Sequence, residues 1–215
     1  SALKNNISRS IDFYNSEVDR YHEAKKNNAN LKVVDFVTLD STKFSWDRAQ
    51  KETDVPKGRK YIFNDDSIYT ALYRPFFKQH CYFNRQLNNC VYQMPQLFPT
   101  PAHKNLVICV NGIGVTKDFS CIITDTLPDL ELIGKSQCFP LYWYEENKNV
   151  QTTLFGNSGN DDKYIRHDGI TDWILKEIRA RYHVNSITKE MIFYYVYGIL
   201  HSKKYRERFA ADLKK

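Results

Sequence analysis

The chain has 215 residues, of which 42% are hydrophobic and 14% aromatic, a composition that excludes an intrinsically disordered protein. Its net charge is +6, and no apolar run approaches the roughly 20 residues that a membrane-spanning helix requires. Five cysteines without a CxxC pair argue against a disulfide scaffold, so we expect a cytoplasmic protein without a membrane partner.

The N-terminal part of the chain predicts one long helix followed by a strand. Apolar residues recur there at alternating steps of four and three, with charges between them, at Ile7, Ile11, Tyr14, Val18 and Tyr21. This spacing predicts an amphipathic helix, to which we assign residues 1–30 as a connecting segment. The run VVDFVTL at 33–39 is rich in β-branched residues and predicts a strand.

Residues 31–146 are predicted to form a β-rich domain. Asp65 or Asp66 can cap a helix through SIYTALY, which must stop near Arg74 because Pro75 disfavours helix in the residue before it. The runs KQHCYFN, NLVICV and DFSCIIT predict strands, and the Asn-Gly of NGIGVTK predicts a hairpin between the last two. SQCFPLYWYEE predicts a further strand in which Pro140 marks an edge or a bulge.

The C-terminal part of the chain predicts a loop and then helices. Residues 147–167 are polar and rich in Gly and Asn, which indicates a linker or surface loop. Residues 168–215 predict a module of three helices, the first two capped by Thr171 and Thr188. The second helix, KEMIFYYVYGILH, is apolar nearly all round, so we expect it to be buried on most sides. The predicted fold class is α+β, with a mixed or antiparallel sheet flanked by helices.

One long stretch of the chain contains no acidic residue. From Ser67 to Lys117, 51 residues lack Asp and Glu, although the chain has 25 acids, and five bases are interleaved with aromatics and amides. Phosphate attracts Lys and Arg and repels carboxylates, while aromatic rings stack on bases. The pattern is therefore typical of a surface that faces nucleic acid; a buried aromatic segment that lacks acids by chance is the open alternative.

The motifs of catalysis are mostly missing from the sequence. The chain has no phosphate-binding loop, no methyltransferase tetrapeptide of the Asn/Asp-Pro-Pro-aromatic type and no zinc-ligand pattern. Asp129 and Glu131 resemble the paired carboxylates of Mg²⁺-dependent nucleases, but Ile133 stands where such sites carry a lysine. We therefore expect a non-catalytic chain and keep a Mg²⁺-dependent nuclease fragment as an alternative.

Three stretches of the chain together resemble one protein family. They are ALYRPFFKQHCYFN with VYQMPQLFP, then FSCIITDTLPDLELIGKSQCFPLYWYE, and finally GITDWILKEIRARYHVNSITKEMIFYYVYGILHSKKYRERFAADLKK. They are similar to the C-terminal target-recognition region of Type ISP restriction–modification enzymes. Those enzymes join a nuclease, a helicase-like ATPase, an adenine methyltransferase and a recognition domain in one polypeptide, so we expect this chain to be one piece of a longer protein.

The resemblance implies sequence-specific recognition of double-stranded DNA, with the target adenine presented to an upstream methyltransferase domain. It implies no cofactor for this chain; S-adenosylmethionine, ATP and Mg²⁺ would serve the rest of such an enzyme, an adenine methyltransferase and ATP-dependent endonuclease. A structural module that couples the methyltransferase to other domains is the alternative.

The predicted DNA contacts fall into two groups. Arg74, Lys78 and Arg85 are expected to contact phosphate or guanine, and Gln79 and Asn88 to read adenine. The expected flanking phosphate contacts are Lys43, Arg48, Arg59, Lys60 and Lys117.

Overall fold

A computed structural model describes residues 1–148 and 163–213 of the chain. The chain divides into two compact units, one of Ser1–Ile68 with Tyr82–Val91, the other of Tyr69–Cys81 with Tyr92–Lys215. Helices and mainly antiparallel strands occur in separate parts of the sequence rather than in regular alternation. The predicted α+β class is confirmed.

The long N-terminal helix predicted from apolar spacing is also confirmed. Helix α1 runs over Ala2–Asn27. Ser1 caps its N-terminus, since the Ser1 hydroxyl accepts a hydrogen bond from the Lys4 amide. One face of the helix is buried and forms the centre of the first unit's core, at Ile11, Tyr14, Val18 and Tyr21. The helix ends in the polar run KKNNAN, where no further apolar residue continues this face.

The strand predicted at 33–39 is wrong. The segment begins with one helical turn, α2, over Val33–Phe36, and the Val37 amide donates to the Val33 carbonyl at 3.0 Å. Val33 and Val37 both pack into the core formed on α1. In a strand, Val33, Asp35 and Val37 would share one face, whereas a helical turn buries Val33 and Val37 together and leaves Asp35 exposed. This outweighs the strand preference of β-branched residues.

Stacked aromatic rings complete the core of the first unit. Tyr14 of α1 lies on Tyr61, with ring centroids 4.0 Å apart and planes 9° apart. The Tyr61 hydroxyl donates to the Asp54 carboxylate at 2.7 Å, at the end of a π-helical turn over Gln50–Asp54. Burial, together with this hydrogen bond, raises the pKa of Tyr61.

The helix predicted through SIYTALY is likewise wrong. Only a 3₁₀ turn, Asp65–Ser67, precedes strand β1, which runs over Ile68–Arg74. Tyr69 and Ala71 are buried while Thr70 between them is exposed, which is the alternation of a strand. The segment therefore forms the strand that its β-branched and aromatic residues favour. Neither Asp65 nor Asp66 caps the short turn before it, because the Asn64 side chain accepts from the Asp66 amide at 3.0 Å.

Strand β1 lies at the centre of a three-stranded sheet. It ends at Arg74, and a turn at Pro75 leads into β2, Phe77–Tyr82, the strand predicted from KQHCYFN. On its other side β1 pairs in parallel with the short β5, Leu127–Pro128, with Ala71 opposite Leu127. The strand order is β2-β1-β5.

A second sheet is antiparallel, and the pairing of two of its strands was predicted. Strands β3, Val107–Val110, and β4, Cys121–Thr124, form the predicted antiparallel pair, and β6, Gln137–Pro140, lies on the other side of β3. The connection from β3 to β4, residues 111–120, is longer than a two-residue turn, and neither Asn111 nor Gly112 has the positive φ of an Asn-Gly hairpin turn. Gly112 in the connection is needed for close packing, because a Cβ there would lie 2.1 Å from the Lys135 carbonyl oxygen. Glycine is therefore required at position 112 because the backbone of Lys135 packs against it.

The break predicted at Pro140 is confirmed. Strand β6 ends there at the edge of its sheet, and β7, Tyr142–Glu146, instead pairs with β8, Tyr164–Asp168, in an antiparallel ribbon. Strand β8 covers the last residues of the loop predicted at 147–167. The middle of that predicted loop, 149–162, lies outside the described residues.

Among the described residues of the second unit, four further helices follow: α3, Met94–Leu97; α4, Asp172–Tyr182; α5, Lys189–His201; and α6, Lys203–Arg208. The predicted caps are confirmed, since Thr171 accepts from the Ile174 amide at 3.3 Å and Thr188 from the Met191 amide at 3.2 Å. None of the helices within the described ranges is both long and apolar enough to cross a bilayer.

The prediction that α5 is buried on most sides is wrong. Phe193 packs against β3 and β4, and this one side of the helix is covered. On the other side Met191, Tyr194 and Tyr195 are 53%, 52% and 64% exposed. This side of the helix therefore lies in solvent although its residues are apolar or aromatic. We call Met191, Tyr194 and Tyr195 the α5 aromatic face.

Candidate nucleic-acid interface at the β1–β2 hairpin

The end of the β1–β2 hairpin is open to solvent on both faces. All eight residues from Tyr73 to His80, here called the hairpin tip, are exposed. Successive side chains of a strand point to opposite faces, so a strand covered on one face alternates between buried and exposed residues. Continuous exposure shows that the hairpin tip extends beyond the part of the sheet that packs on the core.

The hairpin tip carries cations, rings and an amide but no carboxylate. Its sequence, YRPFFKQH, includes three of the residues predicted to contact DNA, Arg74, Lys78 and Gln79. The structure thus brings these three together on one short exposed segment. Tyr73, Phe76 and Phe77 add exposed aromatic surface to it.

Arg74 is held by a ring and a carboxylate. Its guanidinium carbon lies 4.0 Å from the centroid of the Tyr73 ring, and its Nη1 lies 3.3 Å from the Asp129 carboxylate. The side chain is still 46% exposed. Stacking and the ion pair therefore orient the guanidinium while leaving part of it accessible.

Lys78 makes the second ion pair of the hairpin tip. Its Nζ lies 2.8 Å from the Asp125 carboxylate, and the side chain is 50% exposed. The hydrogen bond from Lys78 lowers the pKa of Asp125. Asp125 and Asp129 both follow the acid-free stretch in sequence, so the fold supplies the carboxylates that this stretch lacks.

Gln79 differs from the two cations because its amide is not engaged. Within the described parts of the chain, no hydrogen bond involves the Gln79 side chain. An amide group offers a donor and an acceptor side by side, the arrangement that can pair with the N6 and N7 of adenine. The exposed amide is therefore available to a ligand.

The turn at the end of the hairpin has an unusual conformation. Pro75 and Phe76 are its two central residues, and Phe76 has φ +64° and is 93% exposed. Sequence reasoning missed Phe76. Pro75 signals a turn, but it suits turns with either sign of φ at the next residue, so the positive φ of Phe76 could not be predicted.

Comparison with known proteins assigns the chain to a family. The profile of the Type ISP C-terminal specificity domain matches residues 1–215. The chain belongs to this family. The resemblance predicted from the three sequence stretches is thereby confirmed, whereas no protein of curated function has a matching sequence.

Three solved structures are similar to this specificity domain, each with a TM-score of 0.75 and covering 99% of the chain. One is the cryo-EM structure of the DrdV–DNA complex, at 33% identity and 18% of that chain. The second is a nuclease-deletion mutant of the Type ISP restriction–modification enzyme LlaGI in complex with a DNA substrate mimic, at 35% identity and 17% of that chain. The third is the ATP-dependent Type ISP restriction–modification enzyme LlaBIII bound to DNA, at 27% identity and 12% of that chain. The specificity domain thus spans less than a fifth of each of them.

The other predicted contacts of the specificity domain lie outside the hairpin tip. Two cations of the first unit form exposed ion pairs, Arg48 with Glu52 at 2.8 Å and Lys60 with Asp19 at 2.8 Å. Exposed ion pairs of this kind are weak, so these two cations stay available to phosphate. Arg59 pairs at 2.9 Å with Asp54, whose side chain is only 17% exposed, and Lys43 lies 5.9 Å from the Phe13 ring centroid.

Arg85 and Asn88 lie in the segment that follows β2. Arg85 is exposed, whereas Asn88 is partly buried. The Asn88 side-chain oxygen accepts from the Asn84 amide at 2.9 Å, and its nitrogen donates to the Leu87 carbonyl at 3.3 Å. Asn88 therefore holds this turn together, and reading a base would require it to give up these bonds. Lys117 is exposed in the β3–β4 connection.

The carboxylates of the nuclease alternative have structural partners. Asp129 accepts from the Glu131 amide at 2.8 Å in addition to Arg74, and Glu131 accepts from the Lys135 amide at 3.4 Å. Among residues 1–148 and 163–213, no three His, Cys, Asp or Glu side chains are grouped to hold a metal ion. Asp129 is therefore already paired with a cation, which weakens it as a ligand for Mg²⁺, and these surroundings give the nuclease alternative no support.

Proposed function

We propose that this specificity domain reads the sequence of double-stranded DNA for a restriction–modification enzyme and that the hairpin tip makes part of the contact. The observation that carries the proposal is the tip itself: eight consecutive exposed residues with two cations, one free amide and no acid. This combination suits a polyanion whose base edges offer hydrogen bonds. The likeness to enzymes solved with DNA supports the same conclusion.

Within this proposal the residues of the hairpin tip have different tasks. Arg74 and Lys78 bind phosphate or guanine, and Gln79 pairs with an adenine edge. Arg85, Lys117 and the cations of the first unit add phosphate contacts, which fix register and carry little sequence information.

The domain itself performs no chemistry in this proposal. It presents the target adenine to a methyltransferase domain upstream in the same cytoplasmic polypeptide, where the base is extruded into a pocket. S-adenosylmethionine, ATP and Mg²⁺ would act in that remaining part of the polypeptide.

The α5 aromatic face favours a second task, the coupling of this domain to the rest of the polypeptide. Two tyrosines and a methionine, each more than half exposed on one side of a helix, form an apolar surface that a covering partner would stabilise. The domain is less than a fifth as long as the enzymes it resembles, so most of such a polypeptide lies outside it. We assign the α5 aromatic face to contact with that remainder.

Fluorescence anisotropy of a labelled duplex, titrated with the intact polypeptide at several salt concentrations, tests DNA recognition. Arg74→Gln and Lys78→Gln should each weaken binding and reduce the slope of log affinity against log salt by about one. Lys176→Gln removes an equal charge from an exposed position on α4 and should leave both quantities unchanged. Equal binding by all three variants and the unaltered protein would show that the hairpin tip does not contact DNA.

A further inference from the structure

Phe76 occupies a position that ordinary turn chemistry does not explain. Pro75 followed by a residue at φ +64° is the arrangement of a type II turn, which normally has Gly or Asn at the second position. A bulky side chain at positive φ is disfavoured because its Cβ crowds the neighbouring backbone. Two-residue hairpins also prefer the mirror-image turns, whose twist matches that of the strands.

Burial does not account for Phe76 either. The side chain is 93% exposed, so in this fold it gains almost nothing from the hydrophobic effect. Among the described residues, no ring contact or cation–π contact involves Phe76. Its neighbours Tyr73 and Phe77 do contact each other, with ring centroids 6.5 Å apart. Residues with a strained backbone and no supporting contacts are typical of binding sites, where a bound ligand supplies the missing contacts.

The charges around Phe76 indicate what that ligand is. Arg74 and Lys78 lie two residues before and two residues after it, and the hairpin tip has no carboxylate of its own. A protein partner for an exposed ring would need an apolar pocket, whereas a ring between two cations matches a polyanion that also offers flat π-surfaces. Nucleic acid has both properties, because phosphates flank every stacked base.

We propose that Phe76 stacks on a base of the bound duplex while Arg74 and Lys78 hold the flanking phosphates. Aromatic and other apolar side chains that enter a base step, or replace an extruded base, work in this way. The positive φ at Phe76 sets the direction in which its Cα–Cβ bond leaves the end of the hairpin. This inference rests on the proposed recognition of DNA and adds base stacking to it.

The first test compares two polyanions, one with bases and one without. The intact polypeptide and its Phe76→Ala variant are titrated against a mixed-sequence duplex and against heparin. Loss of one stacked base should weaken duplex binding by about tenfold and leave heparin binding unchanged. Arg74→Gln should weaken both, because heparin also binds cations. Phe139→Ala, at a 55% exposed position on β6, is the matched control and should change neither.

A second variant tests the stacking even if Phe76→Ala disturbs the folding of the hairpin. Phe76→Trp should retain duplex affinity, and the fluorescence of the new indole should be quenched by the duplex but not by heparin. Tyr182→Trp, at a 61% exposed position at the end of α4, should not be quenched by either polymer.

The outcomes separate this inference from the proposed function. If the unaltered polypeptide fails to bind the duplex, DNA recognition itself is wrong. If it binds the duplex, the stacking role is overturned when Phe76→Ala leaves duplex affinity unchanged. It is also overturned when Phe76→Ala weakens duplex and heparin binding equally, or when Phe76→Trp is not quenched by DNA, as for a ring that serves a protein contact.

Discussion

Lys78 Nζ lies 2.8 Å from the carboxylate of Asp125, so a carboxylate from beyond β4 holds a cation of the hairpin tip. An ion pair between half-exposed side chains contributes at most about 1 kcal/mol, because solvent screens it. The ion pair orients Lys78. If the proposed function is right, DNA phosphate competes with Asp125 for Lys78 and displaces it at little cost.

The competition predicts a substitution that tightens DNA binding. Asp125→Asn keeps the size of the side chain and removes the charge, so Lys78 becomes fully available to phosphate. We expect affinity for a non-specific duplex to rise by about threefold at low salt, an effect near the upper end for an exposed pair. Anisotropy titrations of the intact polypeptide measure it.

Glu177→Gln controls for net charge, since it removes one exposed acid on α4, outside the hairpin and its acidic partners. An equal gain for both variants would mean that overall charge, rather than the release of Lys78, governs the affinity.

The parts of the fold that could be predicted from sequence are those specified by local signals. The spacing of Ile11, Tyr14 and Val18 determines which face of α1 is buried, and Thr171 and Thr188 are bonded to the amides three residues on. Val33 shows the opposite case, because its contacts with α1 are formed by residues distant in sequence. The β-branched content of the segment favours a strand, and only its packing against α1 shows which of its residues have to be buried together.

The sequence likewise identified only part of the candidate site. A lack of acids identified Arg74, Lys78 and Gln79, which the hairpin brings together. It could not reveal Asp125 and Asp129, because their approach depends on the parallel pairing of β1 with β5 across more than 50 residues. An acid-free stretch in sequence is thus not free of acids in space.

A buried carboxylate on α1 predicts a large change in stability. Glu17 is 1% exposed, accepts from the Thr38 amide at 2.7 Å and pairs with Arg20. Glu17→Ala leaves the Thr38 amide without a partner, so the free energy of unfolding should fall by about 2 kcal/mol. Urea unfolding followed by circular dichroism measures this change.

Glu23→Ala is the matched control on the same helix, because Glu23 is 72% exposed in its ion pair with Lys26. Its effect should stay below about 0.5 kcal/mol. Similar losses for the two variants would show that Glu17 is not buried in the way described.

The different burial of the cysteines predicts different rates of reaction of their thiols. Cys90 is exposed, whereas Cys109 and Cys121 are buried in the second sheet, and burial raises the pKa of Cys121 to about 11. Because the thiolate is the reactive form, Cys90 should react with a disulfide reagent much faster than the buried pair at about pH 8. As the pH rises, the rate at Cys121 should increase only toward its raised pKa.

Replacement of single cysteines assigns the phases of that reaction. Cys90→Ser should abolish the fast phase, and Cys121→Ser should leave it intact. A fast phase that survives Cys90→Ser and disappears with Cys121→Ser would contradict the packing of β4.

The proposed coupling role of the α5 aromatic face predicts that its tyrosines contribute to thermal stability in the intact polypeptide. In the intact polypeptide, changing both Tyr194 and Tyr195 to Ser should lower the thermal midpoint by several degrees if another part of the polypeptide covers them, because apolar contact area is lost. Exposed side chains replaced by Ser have effects within about 0.5 kcal/mol. Ile113→Ser, at a 73% exposed position away from α5, is the control and should leave the midpoint unchanged. An unchanged midpoint for the double variant would mean that these tyrosines remain in solvent, and the coupling role of α5 would have to be abandoned.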